Sequence, residues 1–388
     1  MHILAAFDKC KDSLSAGEIS SLAKKTLEEK NFNVVDSVPM SDGGEGFVEI
    51  FTEGGNGELV KVEGRDSVGI KREPLIGICE LGNLPDSVSG LIGLPPAGKV
   101  GIIEMASISG LAQLPLEERN AWRTSTVGVG DLLKKTSQIG VDVILLGIGG
   151  SSTNDCGIGA LSALGLEIIN KVGSRNLFPC PDSWSEIEEI KKSDLFSLPP
   201  LIIACDVSNP LLGINGATHQ FGEQKGLSKE NRIKMEGQVT ELVSKLETPF
   251  PHAKENSLLA GSGAAGGVGF GLSLGYEISL VSGFDLISSW FELGSKIKQA
   301  DLVLTGEGRF DRTSLLGKAP FELIRLANLE NKRSVVLAGS VEKEAVEQCR
   351  KQFPLTEVYQ FGDPSLELKE NFERAPELFV NKLNEIFN

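Results

Sequence analysis

The chain has 388 residues, 40% of them hydrophobic and 23% charged, which is typical of a globular protein rather than a disordered one. Its net charge of −15 and its lack of an apolar run of about 20 residues argue against nucleic acid and membranes as partners. Six cysteines without paired or zinc-type spacing, and no signal peptide, lead us to expect a reduced, cytoplasmic setting.

Two strand-loop-helix units are predicted at the start of the chain. Residues 2–7 read as an apolar strand, and Ser15 with Glu18 predicts a capping box for a helix that ends near Lys30. Residues 33–40 predict a second strand, which leads through a glycine-rich loop into a helix from Phe47. This order is the pattern of a parallel α/β domain, whose ligands bind at the carboxyl ends of its strands.

The middle of the chain has a different pattern. Residues 60–104 alternate in short runs separated by turn signals, which predicts antiparallel strands and the start of a second domain. Residues 201–207 predict a buried strand and residues 228–246 a long helix, whereas the charged segment 170–198 reads as a loop with Trp184 in a small core.

The last third of the chain returns to regular alternation. Residues 300–305 predict a buried strand, residues 306–318 a loop, and the remainder alternates helices with strands. We therefore predict two α/β domains. A Rossmann-like domain (1–60 and 298–388) has a parallel sheet built from both chain ends, and a mixed α/β domain (61–297) is inserted in it, with the active site in the cleft between them.

The stretch 142–155, DVILLGIGGSSTND, is the strongest single pattern. A buried strand breaks into a loop with Gly149 and Gly150, and residues suited to cap a helix follow. Strand, glycine turn and helix start aim backbone N–H groups at one point, where an anion can bind. Asp155 places a carboxylate nearby, as Mg²⁺ carried on a phosphate requires.

Similar loops follow other apolar runs, and each carries acidic or basic residues beside small ones. Because strand ends converge in such folds, these loops predict one site for phosphoryl transfer, in which N–H groups hold phosphates, carboxylates hold Mg²⁺ and cations offset developing charge. The charged residues of these loops are Asp8, Lys9, Lys11, Asp42, Glu45, Asp155, Asp206, Lys225, Glu307, Arg309 and Asp311.

Two other functions remain open at this point. Gly261, Gly263 and Gly266 match G-x-G-x-x-G, the pattern of an NAD(P)-dependent oxidoreductase, although the apolar run before them is short for a first strand. A non-catalytic two-domain binding protein for a small organic acid would need fewer carboxylates beside phosphate-type loops. Stabilisation by ATP–Mg²⁺ in a melting assay separates that protein from a kinase.

Taken together, the spaced motifs resemble the glycerate kinase family, over nearly the whole chain. The matching segments are Asp8, Lys11, Ser13 and Leu14; residues 42–46; residues 104–106 with 109–111; residues 124–130; residues 147–155; Cys205, Asp206, Val207, Asn209 and Pro210; Phe221, Gly222, Gln224, Lys225 and Gly226; and residues 305–309 with Asp311.

The resemblance implies ATP as donor, Mg²⁺ as cofactor, D-glycerate as acceptor, and phosphoglycerate (the 2-phosphate rather than the 3-phosphate) and ADP as products. It leaves open whether the protein is a monomer or a homodimer. Departures from the family pattern fall at Lys9, Cys10, Cys156 and Thr313, and these concern specificity more than the reaction.

Roles follow from the chemistry of each residue type. Lys11 and Arg309 would meet the substrate carboxylate or the transferring phosphoryl group, while Asp42, Asp155 and Asp206 are candidates for the base, with Asp155 and Asp206 also candidate Mg²⁺ ligands. The further substrate- or phosphate-binding candidates are Asp8, Ser13, Gly149, Gly150, Ser151, Asn154, Lys225, Gly263, Gly266, Gly267, Glu307 and Asp311.

Overall fold

The computed structural model describes residues 1–41 and 43–387, with the backbone alone for residues 33–35. The chain divides into two compact units, which we call the terminal unit (Met1–Asp42 and Phe284–Asn388) and the inserted unit (Gly43–Gly283). The sequence pattern placed the domain boundaries later, at 60/61 and 297/298. The first boundary lies earlier because helix Phe47–Gly54 packs on strands of the inserted unit.

The elements are numbered in chain order. The strands are β1 (His2–Phe7), β2 (Asn33–Pro39), β3 (Glu58–Lys61), β4 (Gly64–Arg65), β5 (Lys71–Arg72), β6 (Leu75–Glu80), β7 (Lys99–Glu104), β8 (Val143–Gly147), β9 (Glu167–Asn170), β10 (Ile187–Lys191), β11 (Leu201–Ala204), β12 (Ile278–Val281), β13 (Leu302–Phe310), β14 (Arg333–Val341) and β15 (Thr356–Gln360).

The helices are α1 (Ala16–Glu29), α2 (Phe47–Gly54), α3 (Asp86–Ile92), α4 (Ala106–Ser109), α5 (Val127–Gln138), α6 (Ile158–Ala163), α7 (Ala217–Phe221), α8 (Lys229–Leu246), α9 (Ala253–Asn256), α10 (Val268–Gly275), α11 (Gly283–Trp290), α12 (Leu293–Gln299), α13 (Ala319–Leu329), α14 (Lys343–Gln352), α15 (Leu368–Glu373) and α16 (Ala375–Ile386). Across residues 1–41 and 43–387, every helix is too short or too polar to cross a membrane.

The terminal unit is built on a parallel sheet in the order β15-β14-β13-β1-β2, so both ends of the chain form it. Successive residues of β14 point to opposite faces, as strand geometry requires. Val335 and Leu337 pack beneath α1 and α16, and Val336 and Ala338 pack beneath α13 and α14. This doubly covered sheet is the predicted Rossmann-like arrangement, and its carboxyl edge is the expected ligand edge.

The inserted unit contains a mixed sheet in the order β12-β11-β8-β7-β6-β3. The pairs from β12 to β7 are parallel, and β6 and β3 are antiparallel additions. The parallel strands therefore end at a common edge, where Glu104, Gly147, Ala204 and Val281 are the last strand residues.

Local predictions had mixed outcomes. The capping box is confirmed, since Ser15 Oγ accepts from Glu18 N at 3.2 Å and Ser15 N donates to Glu18 Oε2 at 2.8 Å. The loop prediction for residues 306–318 is wrong in its first part, because β13 continues to Phe310 paired with β14. Segment 170–198 also contains β10, which pairs with β9 and buries Ile187 and Ile190 between charged neighbours.

Candidate active site

A pocket of about 770 Å³ lies at the carboxyl edge of the terminal unit's sheet. The loop after β1, the end of β13 and the segment after β15 line it, as expected for a parallel α/β sheet. We call it the sheet-end pocket. The predicted site residues that line it are Asp8, Lys11, Ser13, Glu307, Arg309 and Asp311.

The loop after β1 is held in a tight turn, which presents its lysines. Cys10 N donates to Leu14 O at 2.8 Å, and the Ser13 hydroxyl donates to Cys10 O at 3.0 Å. Lys11 lies at the exposed side of this turn, whereas Asp8 is buried next to the strand end. Burial, with the nearby charges of Asp8 and Glu307, raises the pKa of the Cys10 thiol to about 12, which rules it out as a nucleophile near neutral pH.

Glu307 is a second buried carboxylate of the pocket, in addition to Asp8. It is 4% exposed, its Oε2 lies 3.1 Å from Lys318 Nζ, and its Oε1 has no hydrogen-bond partner among the described residues. Burial raises the pKa of Glu307, and the positive charge of Lys318 opposes that rise. A buried, paired carboxylate next to cations is suited to orienting a lysine or accepting a hydrogen bond from a ligand hydroxyl.

Arg309 and Asp311 form a more exposed ion pair beside it. Arg309 Nε lies 3.2 Å from Asp311 Oδ2, and the Arg309 side chain is 71% exposed, so its guanidinium is accessible to an anionic ligand. Partial burial raises the pKa of Asp311, but hydrogen bonds from Thr313 and the charges of Lys318 and Arg309 lower it below its ordinary value. Thr313, one of the departures, therefore positions Asp311 through its N–H and hydroxyl, at 2.8 and 2.6 Å.

In the inserted unit, a buried lysine holds the loop after β8 in place. Lys225 is 1% exposed, and its Nζ donates to Ser151 Oγ at 2.9 Å and to Thr153 O at 2.6 Å. Burial lowers the pKa of Lys225 to about 7, and the charge of Asp155 limits the fall. Lys225, predicted to bind phosphate, thus touches the loop from inside the protein.

Gly149 and Gly150 occupy the outer part of that loop. Gly149 N donates to Gly43 O at 2.9 Å, and Gly150 is exposed with φ of +69°, a conformation that glycine adopts without strain. A Cβ at Gly150 would lie 2.8 Å from Glu45 Oε1, so the Glu45 side chain lies against the turn. Asn154, by contrast, is fully buried, and its Nδ2 donates to Thr218 Oγ1 at 3.1 Å.

Asp155 has a structural environment. It is 0% exposed; Oδ2 accepts from Thr126 N and Thr126 Oγ1 at 2.8 Å each and from Gly159 N at 3.2 Å, while Oδ1 accepts from Gly157 N at 3.2 Å. Burial raises the pKa of Asp155, and these hydrogen bonds oppose the rise. The Asp155 carboxylate therefore joins the starts of α5 and α6. Because both of its oxygens already accept hydrogen bonds from the protein, it does not fit the role of ligand to a magnesium ion carried by a nucleotide.

Asp206 is an exposed carboxylate that follows a strand of the inserted unit. It follows β11, and its Oδ1 accepts from Ser282 Oγ at 2.9 Å and Gly283 N at 2.8 Å. These bonds orient the side chain at the carboxyl edge of the sheet. Asp206 therefore fits the role of base or Mg²⁺ ligand better than Asp155 does.

The glycine-rich segment before α10 packs against backbone. A Cβ at Gly263 or Gly266 would overlap Pro210 O or Thr153 O, and a Cβ at Gly267 would lie 2.8 Å from Cys156 Cα. Close packing thus accounts for these three glycines, which were expected to line phosphates. Helix α9, not a strand, precedes the G-x-G-x-x-G match, so the geometry of a dinucleotide turn is missing there.

Asp42, a candidate base, lies outside the described residues. Within residues 1–41 and 43–387, His, Cys, Asp and Glu side chains form no group of three or more that could hold a metal ion.

Cys156, a departure where the family pattern has glycine, adopts φ of +57°, which explains why glycine suits that position.

The sequence pattern missed the far wall of the sheet-end pocket. Phe361, Pro364, Leu366, Leu368 and Phe372 line it, after β15 and in α15. None lies in a glycine-rich or acidic motif. The available signal was an apolar and aromatic cluster directly after the last predicted strand, at the ligand edge of the sheet.

Comparisons with known proteins agree with this architecture. A sequence model of the glycerate kinase family matches residues 3–388. The glycerate kinase of Haemophilus influenzae is 35% identical over 352 residues, covering 89% of this chain and 87% of that protein. The glycerate 2-kinase of Escherichia coli is 32% identical over 349 residues, covering 88% and 86%.

A crystal structure of a Salmonella typhimurium protein assigned as glycerate kinase 2 superposes with a TM-score of 0.73 at 29% identity, covering 100% of this chain and 97% of that one. The fold and the matches define a phosphotransferase of the α/β class. More narrowly, the chain belongs to the glycerate kinase family.

Proposed function

We propose that the protein transfers the γ-phosphoryl group of ATP to a hydroxyl of D-glycerate, with Mg²⁺, and that 2-phosphoglycerate and ADP are the products. The observation that supports this most is the sheet-end pocket, where Lys9, Lys11, Arg309 and Lys318 gather beside Asp8 and Glu307 at the ligand edge of a parallel sheet. The name of the Escherichia coli relative supports the 2-phosphate.

In this proposal the residues position and neutralise the reactants. Lys11 and Arg309 contact anionic oxygens of the substrates, because exposed cations offset charge that develops on the transferring group. Asp206 accepts the proton of the attacking hydroxyl or holds Mg²⁺, and Lys225 keeps the Gly149–Ser151 turn in place.

Magnesium fits this donor set when it arrives on the nucleotide. Mg²⁺ in such sites takes one or two protein carboxylates, with phosphate oxygens and waters as its other ligands. Asp206 can supply a carboxylate of this kind, and a separate cluster of three acidic ligands is not required. When bound, the ion neutralises phosphate charge and orients the transferring group.

The test is an ADP-release assay with ATP–Mg²⁺ and D-glycerate, followed by identification of the phosphorylated carbon. We expect ADP to form only with acceptor present, and L-glycerate serves as the stereochemical control. Formation of 3-phosphoglycerate would contradict the proposed 2-phosphate product. Equal rates of ADP release with and without D-glycerate would contradict D-glycerate as the acceptor.

A further inference from the structure

The sheet-end pocket has two chemically different ends. Lysines and arginine lie at the end formed by β1 and β13, whereas the other end is formed by Phe361, Leu366 and Phe372. Its volume of about 770 Å³ is in the range of roughly 300–1,000 Å³ typical for sites that enclose a ligand of drug size. A three-carbon acid would leave most of this space unfilled.

Three glycines line the floor of the pocket between its two ends. Gly308, Gly339 and Gly362 lie on neighbouring strands or directly after them, and all three line the pocket. A Cβ at Gly339 would lie 2.7 Å from Gly308 O, and a Cβ at Gly362 would overlap Gly339 O. Backbone therefore forms the floor. This leaves an open path from the cations to the end formed by Phe361, Leu366 and Phe372, which we call the aromatic wall.

The aromatic wall is held in position by its own hydrogen bonds. Asn371 Nδ2 donates to Asp363 O at 2.8 Å, and Asn371 Oδ1 accepts from Asp363 N at 2.8 Å, which fixes the turn that carries Leu366. Phe361 is buried against Phe379, with ring centroids 5.5 Å apart at 86°, and Phe372 is half-buried at the pocket surface. A prearranged wall loses little conformational entropy when a flat ring packs on it.

Of the two substrates proposed above, only the nucleotide combines a flat apolar ring with a polyanionic tail. We therefore propose that the sheet-end pocket binds the purine nucleotide, with its base against Phe372 and its phosphates toward Lys11 and Arg309. This assignment rests on the proposed kinase function and adds the location and direction of the donor.

The test measures ADP binding by isothermal titration calorimetry, and the KM values for ATP and D-glycerate, on the full-length protein. Phe372→Ala should raise the Kd for ADP and the KM for ATP roughly tenfold, as expected for loss of one base–aromatic contact. Its KM for D-glycerate should stay within about twofold. Phe387→Ala is the matched control, because Phe387 packs on Phe32 and does not line the pocket.

Inorganic tripolyphosphate distinguishes the contributions of the two ends of the pocket to binding, because it has a phosphate chain but no base. Its affinity should be unchanged in Phe372→Ala and should fall in Arg309→Met, whereas ADP affinity should fall in both. Phe372→Leu keeps a sizeable apolar side chain without the aromatic ring, so it should also weaken ADP binding. It takes the place of Phe372→Ala if the alanine variant fails to fold.

The outcomes distinguish this assignment from the proposed function. A wild-type protein that phosphorylates D-glycerate, but whose folded Phe372 variants bind ADP normally, overturns the nucleotide assignment alone. A higher KM for D-glycerate without change for ADP also overturns it. A third outcome is that the wild type binds ADP tightly, Phe372→Ala weakens this binding, and no phosphoryl transfer to D-glycerate occurs. This outcome supports the nucleotide assignment and contradicts D-glycerate as the acceptor.

Discussion

Lys225 Nζ and Ser151 Oγ lie 2.9 Å apart inside the inserted unit, so the buried amino group of Lys225 supports the glycine turn after β8. The same nitrogen donates to Thr153 O. A buried lysine is costly to charge, and this cost makes the stability of the protein depend on pH.

The pKa of Lys225 is about 7 in the folded protein and about 10.4 when unfolded, so between these values the unfolded state binds the extra proton. The free energy of unfolding therefore rises with pH in this window, and the full penalty applies below about pH 7.

In Lys225→Met this contribution is absent. Melting temperatures at pH 7 and pH 9 should show that the wild type gains stability relative to the variant at the higher pH. Lys229→Met, at an exposed position at the start of α8, should follow the wild type. Parallel pH curves for the wild type and Lys225→Met would contradict the prediction.

Asp155→Asn should destabilise the protein. An amide in place of the carboxylate turns an NH₂ group toward backbone N–H donors of Thr126, Gly157 or Gly159, leaving buried donors unsatisfied at a cost of about 3 kcal/mol. Thermal or urea unfolding measures this loss. Asp142→Asn is the control, because Asp142 is exposed and accepts a bond from Lys99 N at 2.7 Å. An unchanged melting temperature for Asp155→Asn would show that its hydrogen bonds are dispensable.

Asp206→Asn should retain the fold and lose activity. Asp206 is exposed, so the substitution buries no unpaired group, while loss of a base or metal contact lowers kcat by roughly a hundredfold or more. Steady-state kinetics measure the effect. Asp142→Asn is again the matched control, since it precedes β8 at the opposite edge of the same sheet. Equal kcat values in the two variants would remove Asp206 from the mechanism.

Lys318→Met should move the acid limb of the kcat/KM profile to higher pH. Lys318 is 3.1 Å from Glu307 and opposes the rise that burial causes in its pKa, so without Lys318 the pKa of Glu307 rises further. The pH dependence of kcat/KM tests this. Lys332→Met should leave the profile unchanged, because Lys332 bonds Lys298 O away from the pocket. An acid limb that does not move in Lys318→Met would show that Glu307 ionisation is not required.

The sequence predicted the fold well because hydrophobic periodicity is a local signal. Apolar runs and the Ser15–Glu18 capping box give the parallel sheet and its first helix directly. The pattern failed where pairing with a neighbour decides the structure: residues 306–310 look like a polar loop, but their backbone pairs with β14.

The candidate site was predictable only by residue type. Asp155 and Asp206 look alike in sequence, yet one is fully buried and bonded on both oxygens while the other is exposed. Glycines 263, 266 and 267 resemble a phosphate loop, but their environment is neighbouring backbone. Burial and packing of this kind depend on residues distant in sequence, and so does the aromatic wall formed by Phe361 and Phe372.

The most direct test of the account is the ³¹P NMR spectrum of a reaction containing the protein, ATP–Mg²⁺ and D-glycerate. We predict that the γ-phosphate signal of ATP disappears as signals of ADP and 2-phosphoglycerate grow in equal amounts. A spectrum in which ATP persists, or in which inorganic phosphate is the only new product besides ADP, would contradict the proposed transfer to glycerate.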